Sequence, residues 1–283
     1  MSPPTYNDLG KSARDVFSQG FHFGLFKLDI KTKTNSDVEF CCGGVSNQDT
    51  GKVFGNLETK YKLKEYGLTF SEKWNTDNTL ATDISVANKL LNGLTVGYSC
   101  TFSPQTGSKT GKLKTTYKHE NVSLNSDFDL SLSAGPLINS SAVVGYQGWL
   151  GGCQIVYDSQ RNKLTRNNFA LGLIASDFAL HTAVDNGQEF TSSIYHKIKP
   201  GLEGAINLAW NSSNNLTHFG IGAKYNLDSD ASIRAKVNSQ LQIGLGYQQK
   251  LRDGVTLTLS SNIDAKNFGS GGHKYGVSLD LQA

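Results

Sequence analysis

The chain has 283 residues, 37% of them apolar and 18% charged, and a formal net charge of +3. No run approaches the roughly 18 apolar residues that a spanning helix needs, and so small a balance of charge, with no block of one sign, does not announce nucleic acid. The four cysteines, Cys41, Cys42, Cys100 and Cys153, have neither CxxC spacing nor nearby histidines at ligand spacing, which argues against a zinc site or a disulfide framework and suits a reducing compartment.

The first ten residues carry no apolar stretch and no cleavage site, so they do not read as a secretory signal. Between Thr5 and Gly20 the period changes to that of a helix. Leu9, Ala13, Val16 and Phe17 share one face, and Lys11, Ser12, Arg14, Asp15 and Gln19 take the rest. Thr5 and Asp8 match a Thr-x-x-Asp capping box behind Pro3-Pro4. Gly20 and Gly24 bracket Phe21-His22-Phe23 as a hinge.

From Leu25 onward alternation at period two predicts strands over 25–33, 38–45, 52–63, 66–74, 80–87, 93–102 and 110–119. It continues over 121–131, 141–148, 149–158, 168–175, 177–184 and 189–197. The last segments are 202–210, 217–226, 231–237, 240–251, 255–264 and 273–282. Turn residues separate them, as at Asp77-Asn78, Asn92-Gly93, Asp185-Asn186-Gly187 and Arg252-Asp253-Gly254. One helix with its hinge over 1–24 and strands over 25–283 make a single all-β domain.

The alternation decides what kind of sheet this is. Val53, Leu57, Thr59, Tyr61 and Leu63 oppose Lys52, Asn56, Glu58, Lys60 and Lys62, and Phe219, Ile221, Ala223 and Tyr225 oppose His218, Gly220, Gly222 and Lys224. Polar faces this charged do not form a packed core, whereas segments of about ten residues with one apolar face suit a tilted transmembrane strand. The expected fold is a transmembrane β-barrel of about 19 strands with the N-terminal helix in its lumen. An odd strand number requires the first and last strands to close the barrel in parallel.

With the apolar faces on lipid, the lumen receives Lys27, Lys31, Lys33, Lys52, Lys60, Lys62, Lys112, Lys114, Lys118, Lys224, Arg234, Lys236, Lys250 and Lys274. Asp29, Glu58, Asp127, Asp129, Glu203 and Asp280 oppose them, and Lys11 and Arg14 project from the helix. A net positive wall favours anions in a wide aqueous pore. Glu72 has the parity of Leu68, Phe70 and Trp74, which points a carboxylate at lipid.

No enzymatic constellation appears. The histidines form neither HxH nor HExxH, no serine sits in GxSxG, and Gly244-Leu-Gly246 lies within a strand without the helix a dinucleotide loop requires. Passage through such a pore is diffusive and needs no cofactor.

Four stretches carry a family resemblance: the opening Pro-Pro-Thr-Tyr-Asn-Asp-Leu-Gly-Lys-Ser-Ala-Arg-Asp-Val-Phe17, Leu57-Glu-Thr-Lys-Tyr61, Tyr66-Gly-Leu-Thr-Phe-Ser-Glu-Lys-Trp-Asn-Thr-Asp-Asn78, and Gly-Gly-His-Lys274. Together they make the chain resemble, end to end, the mitochondrial voltage-dependent anion channels. Nineteen is that family's known strand number, so the expected count is not independent of the resemblance.

The resemblance implies a voltage-gated, weakly anion-selective pore in the mitochondrial outer membrane, passing adenine nucleotides, phosphate, organic anions and small ions. It implies nucleotide contacts, including weak NAD(H) binding, at Lys11, at Gln242, Ile243 and Gly244, and at Ser260, Ser261, Asn262, Ile263 and Asp264. A second helix lysine of the family is Gln19 here, so the chain lacks that cation. Lys274, Gly276, Val277, Leu279 and Leu281 resemble the sorting signal of outer-membrane barrels. Glu72 matches a membrane-facing glutamate linked to gating, oligomerisation and hexokinase binding, and apoptosis regulators are further implied partners. Two rival readings stand beside this one: the related protein-import pore of the same membrane, and a soluble ligand-binding β protein.

Overall fold

A computed structural model describes residues 2–131, 135–269 and 271–283. After a 3-10 turn at Tyr6–Asp8 comes helix α1, Lys11–Ser18. The strands begin with β1 Leu25–Lys33, β2 Val38–Asn47, β3 Val53–Leu63, β4 Leu68–Asn75, β5 Leu80–Ala87, β6 Leu94–Ser103 and β7 Ser108–Lys118. They continue with β8 Val122–Ser131, β9 Leu137–Tyr146, β10 Trp149–Asp158, β11 Lys163–Ile174, β12 Phe178–Asp185 and β13 Glu189–Lys199. The remainder are β14 Leu202–Asn211, β15 Leu216–Asn226, β16 Ala231–Asn238, β17 Gln242–Arg252, β18 Val255–Asp264 and β19 Lys274–Gln282. No helix among the described residues is long and apolar enough to cross a membrane, which says nothing of the strands.

All 19 strands form one sheet, each paired with its neighbours in the chain. The sheet closes where β1 meets β19 in parallel, from Phe26↔Val277 to Lys31↔Gln282, as an odd number of meandering strands demands. Closure leaves no sheet edge, so every strand has a partner on both sides, as a barrel in hydrocarbon requires.

Most strands fall within two residues of their expected bounds, and the two larger differences have a common cause. β9 starts at Leu137 rather than 141, and β11 at Lys163 rather than 168. Their early residues, Ile138-Asn-Ser-Ser and Lys163-Leu-Thr-Arg-Asn, lack an apolar alternation, and the ladders to neighbouring strands define them as strand. β9 also stops earlier than expected. Gln147 and Gly148 both have positive φ, 48° and 88°, and make a two-residue hairpin turn before β10.

The helix is shorter than the expected 5–20 span. Thr5 Oγ1 donates to Asp8 Oδ2 at 2.7 Å, so the pair bond each other and cap no backbone N–H. Gly10, at φ 68°, then breaks the 3-10 turn from α1. The expected face survives this break: Leu9 is 3% exposed and Val16 is 2% exposed, with Ala13 buried between them.

Register assigns the two faces of the wall. Ala13 and Val16 pack with Tyr195 and Ala205, and Leu9 packs with Val143, Leu150, Ala170 and Ala183. Ser123 pairs across the ladder with Val143, and Ser141 and Asn168 share the parity of Val143 and Ala170 on their own strands, so the helix lies on the polar face, which is the lumen. The opposite face exposes Phe26, Leu28, Leu57, Trp74, Phe169, Ile221 and Leu259 to lipid.

Candidate functional site

The N-terminal segment crosses the lumen wall from β19 back to β9, and the wall beneath it is built of small residues. Cβ atoms added at Gly220 and Gly222 would stand 3.3 and 3.1 Å from Phe17, one at Gly244 would stand 2.8 Å from Phe23, and one at Gly152 would stand 3.0 Å from Leu9. With Ala170, Ala183 and Ala205 these form a track on which the segment seats its apolar face. Sequence reasoning missed this track. Its signal was present as glycines and alanines on the polar parity of successive strands, where larger polar residues stand in β3 and β7.

Gly20 and Gly24 have φ of 76° and 71°, the left-handed values that suit a hinge. Between them the chain is fastened rather than free. The His22 N–H donates to Ser260 Oγ at 3.0 Å, and the Gly24 N–H donates to the Tyr275 carbonyl at 3.0 Å. A Cβ at Gly276 would overlap the His22 carbonyl oxygen, so the glycine within the expected sorting signal has a fold reason of its own.

Burial holds the His22 imidazole below its ordinary value of 6.5, with Lys27 adding to the depression and Asp280 and Asp29 opposing it. The docked segment therefore binds fewer protons than a released one, and docking is strongest above pH 6.5 and weakens as the pH falls below it. Protease protection of residues 1–24 in lipid, compared on either side of that pH, should drop on the acid side. At the far end of the segment, against β9 and β10, the Tyr6 hydroxyl is buried with no hydrogen-bond partner among the described residues, and burial, then Asp185, pushes it up to about 12.

Lys60, Lys112, Lys114 and Lys118 lie on lumenal positions of β3 and β7, with Lys114 and Lys118 exposed. Acids stand opposite: Lys112 pairs in register with Asp129 and Lys114 with Asp127, and Lys114 Nζ is 3.7 Å from Asp83. Lys31 is exposed on the lumenal parity, Lys27 Nζ is 2.5 Å from Asp29, and Lys224 Nζ is 3.5 Å from Glu203. Glu39, Asp83, Asp185, Glu189 and Asp264 also share the lumenal parity, so the positive excess is smaller than the opposing acids named from sequence suggested.

Lys236 departs from the expected role of an open pore charge, because its Nζ donates to the Phe17 carbonyl at 2.7 Å and sits over the Phe21 and Phe23 rings. On α1, Lys11 and Arg14 are exposed to the lumen, and Arg14 Nη2 donates to the Asn7 carbonyl.

The expected nucleotide contacts divide. Gln242, Gly244, Ser260, Asn262 and Asp264 share the lumenal parity, while Ile243, Ser261 and Ile263 point to lipid with Leu245 and Leu259 and can touch nothing in the pore. Ser260 Oγ is already taken, accepting from His22 and donating to the Gly276 carbonyl. A cavity of about 270 Å³ joins Gln242, Gly244 and Asn262 to Phe17, His218 and Lys236. Lys11 lies in a different cavity, of about 550 Å³, with Arg14, His181 and Ser193.

On β19, Lys274 and Gly276 face the lumen while Val277, Leu279 and Leu281 face lipid, and Lys274 Nζ is paired with Asp49. Glu72 lies mid-strand on the outer face, between Thr59 and Thr82.

The eukaryotic porin profile matches residues 2–276. A Drosophila melanogaster relative named voltage-dependent anion-selective channel is 60% identical over 283 residues, 100% of each chain. Relatives from Xenopus laevis and Homo sapiens, both named non-selective voltage-gated ion channel VDAC2, are 57% identical over 281 residues, covering 99% of this chain and 99% and 95% of their own. A mutant of Rh. blastica porin aligns over 92% of this chain and 95% of its own, at 10% identity and a TM-score of 0.49. With a family profile spanning nearly all of its length and full-length relatives above half identity, the chain belongs to the eukaryotic porins.

Proposed function

We propose that this chain is a voltage-gated, weakly anion-selective channel, not an enzyme, that passes adenine nucleotides, phosphate, organic anions and small ions across the mitochondrial outer membrane. The observation that carries the reading is the closed wall, apolar outside, with Lys60, Lys112, Lys114 and Lys118 on its lumenal face. Fixed positive charge along an aqueous path raises the local concentration of anions, and the acids interleaved with it keep the bias small. The relatives' names, one anion-selective and two non-selective, suit a bias of that size.

Lys11 on the helix and the lumenal subset Gln242, Gly244, Asn262 and Asp264 are the surfaces at which nucleotides, NAD(H) among them, would pause. The β19 pattern supports sorting to the outer membrane. Hexokinase, apoptosis regulators and self-association rest on the resemblance alone, through Glu72 on the outer wall.

Replacing Lys60, Lys112 and Lys114 together by glutamate should move the reversal potential of a planar bilayer in a salt gradient to cation preference. High salt should blunt the shift by screening. A reversal potential that stays in place would overturn the selectivity reading.

A further inference from the structure

The last carbonyls of a helix have no intrahelical donor and carry partial negative charge, so cations are favoured there. The carbonyl end of α1 meets two. Arg234 Nη1 donates to the Gln19 carbonyl at 3.1 Å, and Lys236 Nζ donates to the Phe17 carbonyl at 2.7 Å. The two cations occupy successive lumenal positions of β16, whose alternation aims both at one stretch of backbone.

Arg234 is withdrawn from the water of the pore, and Lys236 is half-buried beneath aromatic rings. Arg234 is 7% exposed, its aliphatic stem lies against Gly20, and its Nε has no hydrogen-bond partner among the described residues. It lines a cavity of about 270 Å³ with Asp15, Tyr195, Glu203 and Lys224, so two carboxylates stand near enough to offset its charge. Lys236 Nζ lies 4.2 Å from the centroid of Phe21 and 5.1 Å from that of Phe23, a cation enclosed by aromatic faces. The segment itself holds Asp8 and Asp15 against Lys11 and Arg14, so its side chains give it no net pull toward either sign of wall. What holds it in place is local.

We propose that Arg234 and Lys236 are positioning residues that together clasp the carbonyl end of α1, and that while the segment is docked their charges are withheld from permeating ions. The selectivity half rests on the channel reading above, and the clasp half does not.

The test uses the full chain in liposomes with Cys41, Cys42, Cys100 and Cys153 replaced by serine and a spin label on Ser12→Cys, an exposed position of α1. Losing one charge-assisted hydrogen bond should raise the mobile fraction of the label about tenfold in Arg234→Gln or Lys236→Gln, and further in the double variant. Arg234→Lys keeps a donor and should restore most of the docking. Gln19→Lys changes no strand residue, so it carries the test even where a β16 variant fails to fold, and its cation beside Arg234 should likewise release the segment.

In a planar bilayer, the open-state reversal potential of Lys236→Gln should shift less than that of Lys112→Gln. A label equally immobile in the double variant and in Gln19→Lys would overturn the clasp. A reversal potential moved as far by Lys236→Gln as by Lys112→Gln would overturn the withheld charge. A protein that conducts no ions would refute the channel reading, while the label measurement would still decide the clasp.

Discussion

Gly276→Ala is expected to expel the hinge region from the barrel wall. The added methyl would occupy the position of the His22 carbonyl oxygen, and that atom belongs to backbone fixed on both sides, so no flexible side chain can yield. Moving it breaks the bonds from His22 N–H to Ser260 and from Gly24 N–H to Tyr275, at a cost of about 1 kcal/mol each, or about 2 kcal/mol of docking energy. β19 itself loses no ladder bond, because alanine keeps the backbone donor and acceptor and fits the strand. The barrel should therefore refold from denaturant with unchanged strand content while residues 1–24 become open to protease and voltage-dependent closure changes. Refolding in vitro bypasses cellular sorting and so separates this role of Gly276 from any part in targeting. Protection of residues 1–24 equal to that of the parent protein would show that the segment passes over β19 by another path.

Glu72→Gln is expected to stabilise the barrel in lipid by about 1–2 kcal/mol, the part of an ionised carboxylate's cost that a neutral amide avoids at mid-strand. Register leaves Glu72 without a cation, since its cross-strand neighbours on the outer face are Thr59 and Thr82, and Lys73 points the other way. A charge so placed draws water and headgroups toward the bilayer centre and loosens the strands that carry it. The substitution should slow amide exchange from Phe70 to Trp74 and raise the thermal midpoint in vesicles, with little change in open-pore selectivity because the side chain is outside the lumen. Identical exchange in the two proteins at neutral pH would refute a lipid-exposed carboxylate.

The strand pattern, the inward lysines and the outward Glu72 were legible in the sequence because a side-chain period of two is a local property of extended backbone. A ten-residue window such as 53–62 suffices to read it, and the odd strand count then forces the parallel β1–β19 seam. Strands whose early residues lack an apolar alternation, β9 and β11, were begun too late for the same reason: nothing in the window distinguishes those residues from a loop, and their partners' ladders define them. Parity also carried information that was not used. It already placed Ile243, Ser261 and Ile263 on the lipid face, against their expected part in nucleotide contact.

What the sequence by itself determined is the face each strand residue presents, and with it the barrel, the charged lumen and the lipid-facing glutamate. Only the tertiary structure decided which sector of the wall receives the N-terminal segment, why glycines stand at 220, 222, 244 and 276, and that Arg234 and Lys236 hold helix carbonyls rather than face the pore. Those contacts join residues more than two hundred positions apart. Their partners are chosen by closure of the barrel and by the shape of its inner surface, which no local period encodes.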